Sequence, residues 1–174
     1  HQFGRAHGVA LLVGQVHDGA VVHGGAGGQL DHRLQQQFEV IGTGPSRDLH
    51  SGIFGGSLDN PAMALCQLLA GLRDRHGRVA VPGFYDDVVK LSRYERQEMA
   101  RLPYSERAYQ KFLGVPKLFG ERGFTAWEQR SARPTLEING LTSGYQGEGS
   151  KTIVPSWASA KLTLRLVPDQ HPRR

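Results

Sequence analysis

The chain has 174 residues, 39% hydrophobic and 21% charged, with a formal charge of +5 and a pI near 9.7. That length supports one domain with a real core, burying about 70% of its extended surface. A single cysteine, Cys66, excludes an internal disulfide framework or cysteine zinc site and fits a reducing compartment, so a cytoplasmic location is expected.

The positive charge does not read as a nucleic-acid surface, because the arginines between Arg73 and Arg133 are scattered among acids and form no stripe. No apolar run is long enough to span a bilayer, and the N-terminus lacks a basic region followed by an apolar core. Neither nucleic acid nor membrane is therefore expected as a partner.

Residues 1–36 form an atypical N-terminal segment, rich in His, Gly, Gln and Val and without lysine. Val9 to Val16 and Ala20 to Val22 flank Asp18-Gly19, a dipeptide that favours a two-residue turn, so a β-hairpin is expected there. His7, His17, His23 and His32 lack i, i+4 spacing and an acidic partner, and no metal ligation is expected of them.

From Gln37 to Ile41 the pattern becomes strand-like, with Phe38 and Val40 on one face, and Gly42 to Pro45 ends it. Asp48 to Gly56 reads Asp-Leu-His-Ser-Gly-Ile-Phe-Gly-Gly and sets His50 in a glycine-rich turn ahead of the best helix. An imidazole there can serve chemistry or simply cap the turn. Asn60-Pro61 opens the helix as N-cap and first helical residue, and Ala62, Leu65, Leu69 and Leu72 recur at helical spacing, predicting a helix over 61–75 with Cys66 in its apolar face.

After Val79 to Gly83 comes a charged region broken by Pro103, Gly114 and Pro116. Ser92 with Glu95 and Thr125 with Glu128 have capping-box spacing. The mixed charges predict short helices in a surface insertion, with no chemistry assigned.

The last third is β. Leu136 and Ile138 alternate with Thr135 and Glu137; further on, Ala158, Ala160, Leu162, Leu164 and Leu166 share one face, which turns Arg165 away from the core. Between the strands, Ser143 to Thr152 is glycine-rich, but Ser150 separates Gly149 from Lys151 and Ile153-Val154-Pro155 opens no helix. A phosphate-binding loop is therefore not expected.

Asp48-Leu-His-Ser-Gly with Gly55-Gly56, Val81-Pro-Gly-Phe84, Arg133-Pro134, Gly147 to Pro155 and Arg165-Leu-Val-Pro168 together resemble the lid domain of carnosinase-type zinc dipeptidases. These belong to the wider aminoacylase and carboxypeptidase G metallopeptidase family. The resemblance runs from about residue 38 to 170. It implies an α+β, ferredoxin-like antiparallel sheet with helices on one face, a lid that dimerises, and a separate catalytic domain holding two zinc ions. It further implies that His50 crosses to the partner's active site and hydrogen-bonds the oxyanion, that Thr152 contacts substrate, and that Arg165 holds the substrate carboxylate. The outward direction of Arg165 on its strand agrees with that role.

The departures shape the rest of the reading. No His-x-Asp motif and no Glu-Glu pair occurs, so this chain is expected to bind no zinc and to be inactive alone. The domain organisation expected is an N-terminal segment 1–36, a truncated lid over 37–170 and a tail 171–174, from a fragment of a disrupted gene whose residues 1–34 come from another reading frame. With the second covering helix missing, part of the Leu162, Leu164 and Leu166 face should be exposed. The chain should act as a homodimer through the lid, meeting a dipeptide only with a catalytic domain; the alternative is a non-enzymatic dimerisation or binding module.

Overall fold

The computed structural model describes residues 2–6, 9–19 and 35–171. In chain order the strands are β1 (Gln2–Ala6), β2 (Val9–Gly19), β3 (Gln35–Thr43), β4 (Leu49–His50), β5 (Thr135–Ser143), β6 (Ile153–Val154) and β7 (Trp157–Arg165). The helices are α1 (Ser51–Phe54), α2 (Pro61–Gly71), α3 (Arg93–Arg101), α4 (Glu106–Leu113) and α5 (Ala126–Ala132). The main sheet has the order β1-β2-β3-β7-β5, with every neighbouring pair antiparallel, and β4 with β6 forms a small second sheet. The fold is α+β, as the sequence predicts.

The core forms where α2 crosses the sheet. Asn60 caps the helix, its side chain accepting from Ala62 N–H, and Pro61 fills the first turn, where no donor is missed. Leu65 and Leu69 pack against Val40 of β3 and Ala158, Ala160 and Leu162 of β7. Both alanines are fully buried, and their small side chains leave room for the helix. Cys66 is exposed, contrary to expectation, because the 3.6-residue period that buries Ala64, Leu65 and Leu69 turns position 66 outward.

The helix also stops earlier than predicted, at Gly71. Leu72 takes the cap, Arg73 bridges to Val79, and the Asp74 carboxylate accepts from the N–H groups of His76 and Arg78, bending the chain back. These bonds hold the Asp74 carboxyl below its usual range, the Arg78 N–H being the largest cause. Gly77 sits at φ +79, and a Cβ there would lie 2.5 Å from the Gly120 carbonyl oxygen.

The three predicted strands are present and in register, Gln35 to Thr43 opposing Arg165 to Trp157. The turn expected at Asp18-Gly19 is not there. Both residues remain extended in β2, opposite Gln36 and Gln35, because pairing with β3 overrides the local turn preference. Ala20 to Val22, His7, His23 and His32 lie outside the described residues. Of the face expected to be partly exposed, Leu162 and Leu166 are buried and Leu164 is half-buried, whereas the more exposed apolar residues are Ile138 and Leu141 of β5, at 44% and 57%.

The region from Val79 to Arg133 contains the predicted short helices, and both capping boxes are formed at Ser92 and Thr125. It is more than a solvated surface, however. Glu121, Glu128 and Arg133 are buried. Arg133 Nη2 and Nε donate to Glu121 Oε2 at 2.8 and 3.3 Å, while the Tyr85 hydroxyl donates to Oε1 at 2.8 Å and accepts from Val79 N–H. The guanidinium also lies over the Tyr85 and Phe124 rings, 5.0 and 4.4 Å from their centroids. The buried Glu121–Arg133 pair, through the Tyr85 hydroxyl and Val79 N–H, thus ties the end of the insertion to its start.

Candidate functional site

Beyond the Trp157 end of β7, two chain segments are zipped together. Gly44 N–H donates to Ser156 O, Leu49 pairs with Val154, His50 pairs with Ile153, and Ser51 N–H donates to Thr152 O at 2.9 Å. Asp48 stands just before β4 and His50 ends it, and each reaches across to the other segment. Asp48 Oδ1 accepts from both the N–H and the hydroxyl of Ser156, at 2.8 and 2.9 Å.

His50 is the N-cap of α1. Its backbone is extended, with φ −69 and ψ 117, and its Nδ1 accepts from Gly52 N–H at 3.0 Å. A nitrogen that accepts carries no proton, so the network assigns the ring proton to Nε2, which donates to Thr152 Oγ1 at 3.1 Å. Thr152 keeps its own hydroxyl hydrogen free to turn toward a ligand. The close fit needs glycine at position 52, since a Cβ there would lie 2.9 Å from His50 Cε1. Both His50 and Thr152 are exposed. Beside them Ile53 is 72% and Phe54 42% exposed, so the pair stands on an apolar tip.

The adjoining loop from Ser143 to Thr152 is braced from within. Tyr145 donates its hydroxyl to Glu148 O, and Lys151 Nζ sits 4.5 Å from the centre of the Tyr145 ring. The loop runs into β6, with no helix to cradle a phosphate.

The structure therefore brings His50 and Thr152 together, but not Arg165. That arginine closes the opposite end of β7, across from Gln35 and Thr135 and on the face away from the α2 core. Eight residues separate it from Trp157, roughly 26 Å at about 3.3 Å per residue. The sequence reading missed Asp48 and Ser156; an acid two residues before a histidine on a strand is the signal that could have found the first. Among the described residues no three His, Cys, Asp or Glu side chains come together to hold a metal ion. The metal implied by the resemblance finds no ligand set among these residues; what His50 and Thr152 offer is a pair of hydrogen-bonding groups.

Comparison with known proteins gives this geometry a context. A peptidase dimerisation domain profile matches residues 36–174. Over 132 residues the chain is 31% identical to the Cys-Gly metallodipeptidase of Candida albicans, covering 76% of this chain and 27% of that relative. The solved M20 family metallo-carboxypeptidase of Sulfolobus solfataricus superimposes with a TM-score of 0.71 at 35% identity, over 81% of this chain and 37% of that one. Human carnosine dipeptidase 1 gives a TM-score of 0.70 at 31% identity, over 80% and 30%. The chain spans less than two fifths of the length of each of these three relatives. Profile, identity and superposition agree, and the chain belongs to the peptidase dimerisation domain family.

Proposed function

We propose that this lid serves a zinc-dependent peptidase that cleaves dipeptides, lending His50 and Thr152 to a peptide held at a metal centre outside the described residues. The observation that carries this reading is the exposed donor pair on a narrow tip. The Gly52 bond fixes the proton on His50 Nε2, where it points at Thr152 Oγ1, and Thr152 keeps its own hydroxyl hydrogen free beside it; a peptide oxygen would take over the Nε2 proton from Thr152. A peptide carbonyl oxygen gaining negative charge is stabilised by donors fixed in advance, because they need no reorganisation when the charge appears.

The reading includes a homodimer. Two residues of extended peptide span only about 7 Å, far less than the strand length separating Arg165 from the His50 end of the domain. One copy cannot bring both to one dipeptide, whereas a two-fold pair can place the tip of one lid opposite the Arg165 end of the other. Arg165, with its planar two-pronged donor, suits a free C-terminal carboxylate, a group shared by dipeptides and the substrates of carboxypeptidases. Zinc as the metal and a cytoplasmic setting complete the reading.

The test is a His50→Ala change in the complete enzyme that carries this lid. Turnover should fall about 100- to 1000-fold, the usual loss when one oxyanion donor is removed. An unchanged rate would remove His50 from the mechanism and leave the chain a dimerisation module.

A further inference from the structure

We infer that Asp48 is a positioning residue for the His50–Thr152 pair, acting as a hydrogen-bond acceptor that fixes the Thr152 segment against the histidine turn. The inference rests on the lid reading for its significance, but the geometry stands by itself. His50 is fixed to its own turn through Gly52, a bond two residues away that says nothing about where Thr152 lies. Thr152 belongs to a different segment, about a hundred residues later in the chain. Between the two segments run four backbone contacts and two side-chain links: the His50–Thr152 bond, and the pair of bonds from Ser156 to Asp48.

The two links occupy opposite ends of the small β4–β6 ladder. A two-residue ladder is weak by itself, since isolated two-stranded pairings are marginal in water, and here only Val154 of its four residues is buried. Anchoring its far end with a carboxylate that takes both donors of Ser156 restricts the sliding and fraying that would part Thr152 from the imidazole. Both bonds end on one oxygen, Oδ1. An asparagine oxygen can accept the same two donors, so the role is that of acceptor and not of charge.

Proton–nitrogen spectra of the isotope-labelled full chain test this without any turnover. His50→Ala identifies the His50 signals. The wild type should show an Nε2–H resonance and a through-space contact between the ring and the Thr152 methyl group. Asp48→Asn should keep both. Asp48→Ala should lose the Thr152 contact, and the Nε2–H signal should vanish through exchange with water, while the ring tautomer fixed by Gly52 stays. His76 is the internal control: its Nε2 accepts from Arg75 Nε, placing its proton on Nδ1, and that pattern should not change. Should Asp48→Ala fail to fold, Ser156→Ala removes one of the two bonds and should weaken the Thr152 contact with His76 intact. A retained contact in Asp48→Ala, or an undisturbed one in Ser156→Ala if that variant carries the test, would overturn the inference. So would its loss in Asp48→Asn. Unchanged turnover in His50→Ala would sink the peptidase reading and leave these spectra standing.

Discussion

Tyr85 shows how a single side chain can report on the clasp of the insertion. Burial pushes its phenol up to about 12; the bond from Val79 N–H opposes that shift, and the adjacent Glu121 carboxylate adds to it. In the unfolded chain the group titrates near 10. Between pH 10 and about 12 the unfolded chain gives up this proton while the folded one keeps it, so the unfolded state binds fewer protons and stability falls as pH rises. Melting curves of the wild type should therefore drop more steeply across that window than those of Tyr85→Phe, whose side chain does not titrate. Parallel curves would show that the phenol is not held neutral by its site. The same closeness to single atoms explains what the sequence could and could not tell about His50. Capping and chemistry looked like rival uses of one imidazole, yet the ring has two nitrogens. Nδ1 caps the turn through Gly52, two residues on, while Nε2 faces Thr152, a partner more than a hundred positions away that no local pattern reveals.

Elements were legible where local bonds decide them. The three-residue spacing of Thr125 and Glu128 is itself the capping box, and both reciprocal bonds form, at 3.2 and 2.8 Å. Here the Glu128 side chain is also buried and pairs with Arg96 at 3.4 Å, which ties α5 to α3. Thr125→Ala should thus destabilise the chain by about 1 kcal/mol, the usual cost of a lost N-cap, read as a shifted urea midpoint; no shift would mean that the box contributes nothing. Where partners distant in sequence decide, the elements were not legible. The end of α2 depends on a bridge from Arg73 to Val79 and on Arg73 donating to Leu136 O and Glu137 of β5. The straight run of β2 through Asp18-Gly19 depends on β3. The mixed charges after Gly83 looked like solvated faces because nothing in their spacing reveals that Glu121 and Arg133 meet in the interior.

At the scale of the whole molecule, the sheet is covered unevenly. β2 lies between β1 and β3, whereas among the described residues β5 pairs only with β7 and offers a free edge. Ile138 and Leu141 on that strand face the same side as the core yet stay in water. An open edge beside exposed apolar side chains is a surface that invites strand pairing, and a two-fold pair of β5 strands would extend the sheet across both copies. Under the proposed function, such pairing would set the Arg165 end of one copy against the His50 tip of the other. Leu141→Lys should disrupt this contact. Burying a leucine is worth about 1.5–3 kcal/mol, and a lysine at that position also brings a charge into the seam, so the dimer dissociation constant should rise by about tenfold or more. Sedimentation of the full chain at several concentrations would read the change as a shift toward the 19.1 kDa monomer. The melting temperature of the isolated fold should hold steady, because Leu141 is already exposed within one copy. If the variant and the wild type sediment alike as dimers, the interface lies on another face, and the β5 edge has no part in bringing His50 to a neighbouring peptide.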